Sequence, residues 1–427
     1  MNFTPDILII GGGITGCAAA RDAAGRGHSV VLLEKNDLGS GTTSRSSRMA
    51  HGGLRYLERL QLGLVRESLT EREMLFRTAP DLVARARFRL PVSGGARARW
   101  YIGAGLALYD LLSFSKNMRI ESDGFSYVDG ICRPERLAAS LAADAVRRGA
   151  EIATYCGVKS IDREGLVVSE RGEEFKPRAL ILCAGPWTDR LLSLWSLPFP
   201  CPLLAPTRGT HLLMTSPIAE PRLLQASSDG RVFFALPAFG GTLVGTTDLD
   251  DTSDPSQVRP RDEEIEYLLR ELKKHLPEAG DSVRGAWTGL RPLLASAGRA
   301  SDRSRGELVA SHPAMPSLTV VVGGKLTTMR LMAERAVNHI EREHFHETPR
   351  PWTSEARIPL CDETAFCTKL SDVLLRREYT GFSGDASAIA AKAEATATRM
   401  GWNRERIDRE MKEFRREAEE SFGLASP

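Results

Sequence analysis

The sequence predicts an α/β protein. It should have one parallel, doubly wound sheet domain, a second domain on a mixed or antiparallel sheet, and a short helical C-terminal region. Three observations predict this. An apolar run at 6–10 enters "GGGITG" and a small-residue helix, as a strand buried on both faces and feeding a crossover does. Residues 201–248 alternate like antiparallel strands, punctuated by Pro and Gly. Residues 354–427 are highly charged and helical in pattern.

In chain order, "DILIIGGGITGCAAARDAAGRGHSVVLLEK" (6–35) reads strand, turn, helix, strand. The small residues at 17–20 and 23–24 let the helix lie close on a sheet, Gly25 and Gly27 end it, and Ser29–Glu34 is the second strand. Residues 55–79 are helical and stop at Pro80, and 83–120 are basic and irregular around an aromatic helix. Residues 134–152 open with Pro as a helix, leading to a strand near 152–161 and a hairpin-like piece to 175. "ALILCAGPW" (179–187) is a strand running into a glycine turn, 261–276 is an amphipathic surface helix, and 317–343 is strand, glycine turn and helix. A Pro-rich linker at 348–353 precedes the tail. The expected division is 1–88, 127–200 and 284–346 for the first domain, 89–126 and 201–283 for the second, and 354–427 for the tail.

Composition sets limits. The 427 residues carry a net charge of +2, so no global field argues for nucleic acid. Seven scattered cysteines without a C-x-x-C pair argue for buried thiols, not a disulfide framework or a metal site. No run approaches the ~20 apolar residues of a membrane span. The N-terminus lacks a basic n-region and enters a strand directly, so a cytoplasmic location is expected.

Gly11-Gly12-Gly13-Ile14-Thr15-Gly16 satisfies G-x-G-x-x-G in the strand–turn–helix context that makes it informative, and the first domain is therefore Rossmann-like. Gly11 allows the turn, Gly13 the approach of a pyrophosphate to the helix N-terminus, and Gly16 close helix–strand packing. Glu34, 21 residues after Gly13, can accept from ribose hydroxyls. Between Ser40 and Ser47 six hydroxyl side chains stand ready to hold phosphates and a flat ring. "HGGLRY" (51–56) joins a titratable His, two glycines that admit a flat ligand, and an Arg that binds anions in a fork. "CAGPW" and "VGGKLTT" add glycines at two more strand ends, where doubly wound sheets bind ligands. Strand ends spread this far apart suit one long cofactor better than a compact NAD module.

Taken in order, "GGGITG", "RDAAGRG", "TTSRSSRMAHGGLRYLE", "RFRLPV", "CAGPW", "RGTH", "VGTTD", "GLRPL" and "VGGKLTT" resemble the FAD-dependent glycerol-3-phosphate dehydrogenase family, a branch of the glycine-oxidase/D-amino-acid-oxidase-like flavoproteins. The tail resembles a shortened form of that family's helical domain, and Arg48 stands where the family usually has Lys. The resemblance implies FAD as cofactor. It assigns Gly11, Gly13, Ile14, Thr15, Gly16, Glu34, Thr42, Thr43, Ser47, His51, Gly52, Gly53, Val158, Ala184, Gly185, Trp187, Gly324, Lys325, Leu326 and Thr327 to that cofactor. It implies oxidation of sn-glycerol 3-phosphate to dihydroxyacetone phosphate, with hydride passing to flavin N5. Arg55, Tyr56, Arg291, Arg303 and Lys325 would bind substrate, and Arg291 and Lys325 would also act in catalysis, Lys325 stabilising the anionic reduced flavin. His211 and His51 both suit proton transfer. The resemblance turns His211 toward the substrate and so favours it as the base, with His51 orienting the flavin.

Electrons would pass to quinone or another acceptor. The basic, aromatic segment 84–119 suits either a membrane surface, as in quinone-linked members, or packing on the chain's own core. The three histidines of "NHIEREHFHE" (338–347) read as a solvated helix end. Two other readings stand beside this one: a flavin oxidoreductase acting on an amino acid or other hydroxy acid, and a flavin-bound, non-catalytic partner subunit.

Overall fold

The computed structural model describes residues 4–92, 98–295, 306–350 and 356–424. The apolar run after Asp6 becomes strand β1 (Ile7–Ile10), buried at every position. It lies inside a six-stranded sheet in the order β18 (Glu307–His312), β19 (Met315–Gly323), β11 (Ala179–Leu182), β1, β2 (Val30–Leu33), β7 (Glu151–Ala153). All neighbours are parallel except β18, which pairs antiparallel with β19 at the edge. Helices α1 (Ile14–Gly25), α4 (Pro134–Arg147) and α7 (Met329–Glu343) share one apolar core with this sheet. The alanines of α1 are fully or almost fully buried there, which is why that helix is made of small residues. A three-stranded antiparallel piece, β8 (Val158–Ile161), β9 (Val167–Ser169) and β10 (Glu174–Phe175), flanks it.

The second sheet has ten strands. Along its main path run β16 (Leu249–Asp250), β12 (Thr207–Met214), β15 (Gly241–Gly245), β14 (Val232–Ala238), β13 (Arg222–Gln225), β4 (Val83–Pro91), β6 (Gly124–Cys132) and β3 (Met49–Ala50). β17 (Val283–Arg291) pairs with β12, and β5 (Arg119–Ile120) with β6. Residues 83–91, expected to be irregular, form the long strand β4, because nine register partners on β6 satisfy its backbone. The boundaries expected at 88, 127 and 284 each fall inside a strand of this sheet. Sheet membership depends on distant pairing, which local pattern does not carry.

Residues 55–79 are a 3-10 turn, Leu54–Arg59, followed by α2 (Leu62–Thr78). The aromatic helix is α3 (Arg99–Leu112), short α5 spans Thr188–Leu194, and the amphipathic α6 runs Asp262–His275. The tail is helical, with a π-helical turn at Asp372–Arg377, then α8 (Ala386–Met400) and α9 (Arg404–Phe422). It is stapled to the first domain by buried charge: Asp37 accepts from Arg376 Nε at 2.6 Å and Arg377 Nη2 at 2.7 Å. Arg48, the departure from the family pattern, forms a bidentate pair with Glu135 at 2.7 and 2.8 Å and stacks on Tyr379 of the tail.

Six of the seven cysteines are buried as expected, whereas Cys201 is exposed. Two of the three histidines near 338–347 are tied to the sheet and not simply solvated: His339 bonds Ser311 Oγ at 2.8 Å and His344 bonds Thr319 Oγ1 at 3.1 Å.

Candidate active site

The glycine turn after β1 is shaped by close approach. Gly11 has φ +108°, and a Cβ there would sit 2.6 Å from the Cys183 carbonyl oxygen. A Cβ on Gly16 would lie 1.9 Å from the Gly11 carbonyl oxygen, so turn and helix close on each other. Gly16 therefore packs beneath the site and does not line it. At Gly13 a Cβ would meet only Thr43 Oγ1, at 3.6 Å, and the N-terminus of α1 opens there into a cavity of ≈1830 Å³. Small-ligand pockets hold roughly 300–1,000 Å³. This one has room for a dinucleotide and a substrate together.

Of the residues expected at the cofactor, Gly11, Gly13, Ile14, Thr15, Glu34, Thr42, Thr43, Ser47, His51, Gly53, Val158, Ala184, Gly185, Trp187, Gly324, Lys325, Leu326 and Thr327 all line the cavity. Gly52 does not. Its missing Cβ leaves room for the Tyr109 hydroxyl, and its N–H donates to Asp129 at 3.0 Å. Thr43 Oγ1 accepts from the Ile14 N–H at 3.1 Å, fixing the hydroxyl-rich turn beside the α1 N-terminus. Glu34 accepts from the N–H groups of Gly12 and Asn36 at 2.6 and 2.8 Å. Its burial raises the carboxyl pKa, and those backbone bonds work against the rise.

Arg55, Tyr56, Arg291, His211 and Lys325 line the same cavity. Arg303, with its neighbours Arg299 and Arg305, lies outside the described residues. Arg291 ends β17, and its Nη1 donates to Asp248 Oδ1 at 2.9 Å. Arg55 Nη1 stands 3.9 Å from Asp248 Oδ2. Lys325 donates to Ser68 Oγ at 2.6 Å and lies 4.6 Å from the centre of the Tyr56 ring.

Comparison with known proteins places this geometry. A match to the family described as FAD dependent oxidoreductase spans residues 6–335. A curated relative, the glycerol-3-phosphate dehydrogenase of Synechocystis sp., is 33% identical over 419 residues, covering 85% of this chain and 76% of that protein. The chain belongs to the FAD-dependent glycerol-3-phosphate dehydrogenase family. A second relative, the D-erythritol 1-phosphate dehydrogenase of Brucella abortus, is 35% identical over 389 residues, covering 83% of this chain and 77% of that protein. Among solved structures, the FAD complex of the glycerol-3-phosphate dehydrogenase from Bacillus halodurans superposes with a TM-score of 0.73 at 22% identity, over 98% of this chain and 95% of that one. The protein is thus a flavoprotein oxidoreductase with FAD as its cofactor, and the family read from the motifs is the one to which it belongs.

Within this dehydrogenase-family fold the two histidines differ. His211 sits mid-strand on β12, is 2% exposed, and shares a 2.9 Å hydrogen bond between Nε2 and Ser47 Oγ. Burial first, and then the Arg291 charge, push its pKa down to about 3, so the ring is neutral near pH 7. His51 is only partly buried. The depressed pKa carries a stability signature. An unfolded imidazole titrates near 6.5 and takes up its proton before the native one, so stability from this group is full above that pH and falls toward pH 3. Between pH 7 and pH 5 the unsubstituted protein should lose about 2 kcal/mol more unfolding free energy than a His211→Asn variant. Urea unfolding at both pH values checks this, and parallel losses would show that His211 titrates normally.

Sequence reasoning missed two carboxylates at this family site. Asp129 accepts from Gly52 N–H, Arg72 and the Tyr109 hydroxyl, all from distant segments, and no local pattern signals it. Asp248 ends the quoted "VGTTD", which was a usable signal.

Proposed function

We propose that this enzyme oxidises sn-glycerol 3-phosphate to dihydroxyacetone phosphate and passes the electrons to quinone or another acceptor. The observation that carries this reading is the convergence of Arg55, Arg291, Lys325 and two histidines on the cavity that takes FAD. FAD held by this cavity would supply a two-electron acceptor for the hydride of C2. Arg55 and Arg291 clamp the phosphate with charge-assisted hydrogen bonds, which sets the distance of C2 from the clamp. Lys325 offers a cation held by Ser68 over the Tyr56 face.

The hydroxyl proton has to be accepted by a group that reaches the substrate. His51 is the better placed of the two histidines, because it is partly exposed on the cavity wall, whereas His211 is nearly enclosed with Nε2 on Ser47. This reading takes His51 in place of the His211 preferred from sequence, with His211 as the neutral partner that orients Ser47.

The relative named D-erythritol 1-phosphate dehydrogenase favours a second substrate, a longer polyol phosphate with the same terminal phosphate. Among the described residues no helix is long and apolar enough to cross a membrane. Within segment 84–119, helix α3 is partly packed on the core and partly exposed. Leu106 and Tyr109 of α3 are buried in the core, while Trp100 (75% exposed), Leu111 and Phe114 face outward, Trp100 at the cavity wall. That outward face supports docking at a membrane surface where a lipid-soluble acceptor would be met.

The test is anaerobic addition of sn-glycerol 3-phosphate to the purified holoenzyme and to a His51→Asn variant. Flavin bleaching in the first, slowed about a hundredfold or more in the second at equal FAD content, is expected. A flavin that stays oxidised with this ester but bleaches with D-erythritol 1-phosphate would move the substrate, and unchanged bleaching in the variant would remove His51 as acceptor.

A further inference from the structure

We propose that Asp248 is the positioning residue of the anion clamp, holding Arg55 and Arg291 at the spacing that receives a phosphate dianion; this rests on the phosphate-ester reading above. Asp248 follows β15 in the turn toward β16. Its carboxylate is 3% exposed, against 33% for the Arg55 side chain and 20% for Arg291. Asp248 reaches the cavity wall too, but its carboxylate is set deeper than the two guanidinium groups, so it acts chiefly through the arginines.

Each carboxylate oxygen serves a different arginine. Oδ1 accepts from Arg291 Nη1 at 2.9 Å, and Oδ2 stands 3.9 Å from Arg55 Nη1. The backbone carbonyl of Asp248 accepts from Arg231 Nη1 at 2.9 Å, which fixes the turn itself. Arg291 Nη2 is held at a second point by Thr246 Oγ1 at 3.1 Å and the Thr247 carbonyl at 3.2 Å. Arg291 is thus oriented before substrate arrives, and Arg55 is drawn to the same anchor. Two guanidinium groups without that anchor would repel and splay, and binding would then have to order them. Lys325 lines the same cavity and adds a third cationic side chain to the wall that faces an anion.

The experiment uses the FAD-loaded protein and inorganic phosphate at pH 8, read as perturbation of flavin absorbance. Asp248→Asn should weaken phosphate about tenfold or more and raise KM for sn-glycerol 3-phosphate by a similar factor, with kcat within about threefold and FAD content unchanged. Phosphate affinity equal to or tighter than that of the unsubstituted protein overturns the role, because the carboxylate would then only compete with the ligand. If Asp248→Asn does not retain FAD, Asp248→Glu decides: weakened phosphate at full FAD content supports the role, and unchanged affinity overturns it. Absence of any phosphate effect on the unsubstituted protein overturns the phosphate-ester reading itself, and the proposal with it.

Discussion

Replacing Arg291 with Gln should lower kcat/KM for sn-glycerol 3-phosphate by at least a hundredfold while FAD stays bound. Arg291 stands at the end of β17, opposite Thr207 in register, and lines the cavity. A guanidinium meets a phosphate through two parallel charge-assisted bonds, each worth about 1.5–3 kcal/mol net. Losing both removes about 3 kcal/mol or more of transition-state stabilisation, which is a hundredfold. Glutamine fills much of the space but carries no charge and cannot form the fork. Asp248 keeps Arg55 as a partner in the variant, so the fold should survive. Steady-state kinetics together with the flavin-to-protein absorbance ratio check this. A loss below tenfold at full FAD content would take Arg291 out of the clamp.

Replacing Asp37 with Ala should destabilise the protein by about 3–5 kcal/mol, the cost of breaking a buried ion pair from one side. Asp37 and Arg377 have fully buried side chains, and Arg376 is 3% exposed. Burial works against the Arg377 charge, and Asp37 outweighs it, raising that pKa above the usual arginine value. Without Asp37 the buried Arg377 loses the carboxylate it pairs with, while Arg376 keeps Asp372 and Glu417. The expected result is a lower urea midpoint and faster proteolytic cleavage within 356–424. A midpoint unchanged from the unsubstituted protein would mean that the tail is held by its apolar contacts alone.

The sequence by itself determined the parts of this protein whose physics is local. "GGGITG" between an apolar strand and an alanine-rich helix has few structural solutions, since Gly11 and Gly16 leave no room for a Cβ. The hydroxyl run, "HGG" and "GGK" were legible for another reason, as residue types that suit a flat, anionic ligand. The family resemblance singled out Arg55, Arg291 and Lys325, and all three line the one cavity.

Tertiary structure decided what depends on distant partners. Nothing near 83–91 marks it as a sheet strand, because its nine partners lie some 40 residues away on β6. Gly52 was legible as a tight position, yet only packing shows that it makes room for Tyr109 and not for the cofactor. The difference between the surroundings of the two histidines is of the same kind. Both side chains are the same in the sequence, and burial within β12, the Ser47 contact and the Arg291 charge set His211 apart from His51. Desolvation and pairing are properties of the folded surroundings, so the residue types were readable in one dimension and their protonation and reach only in three.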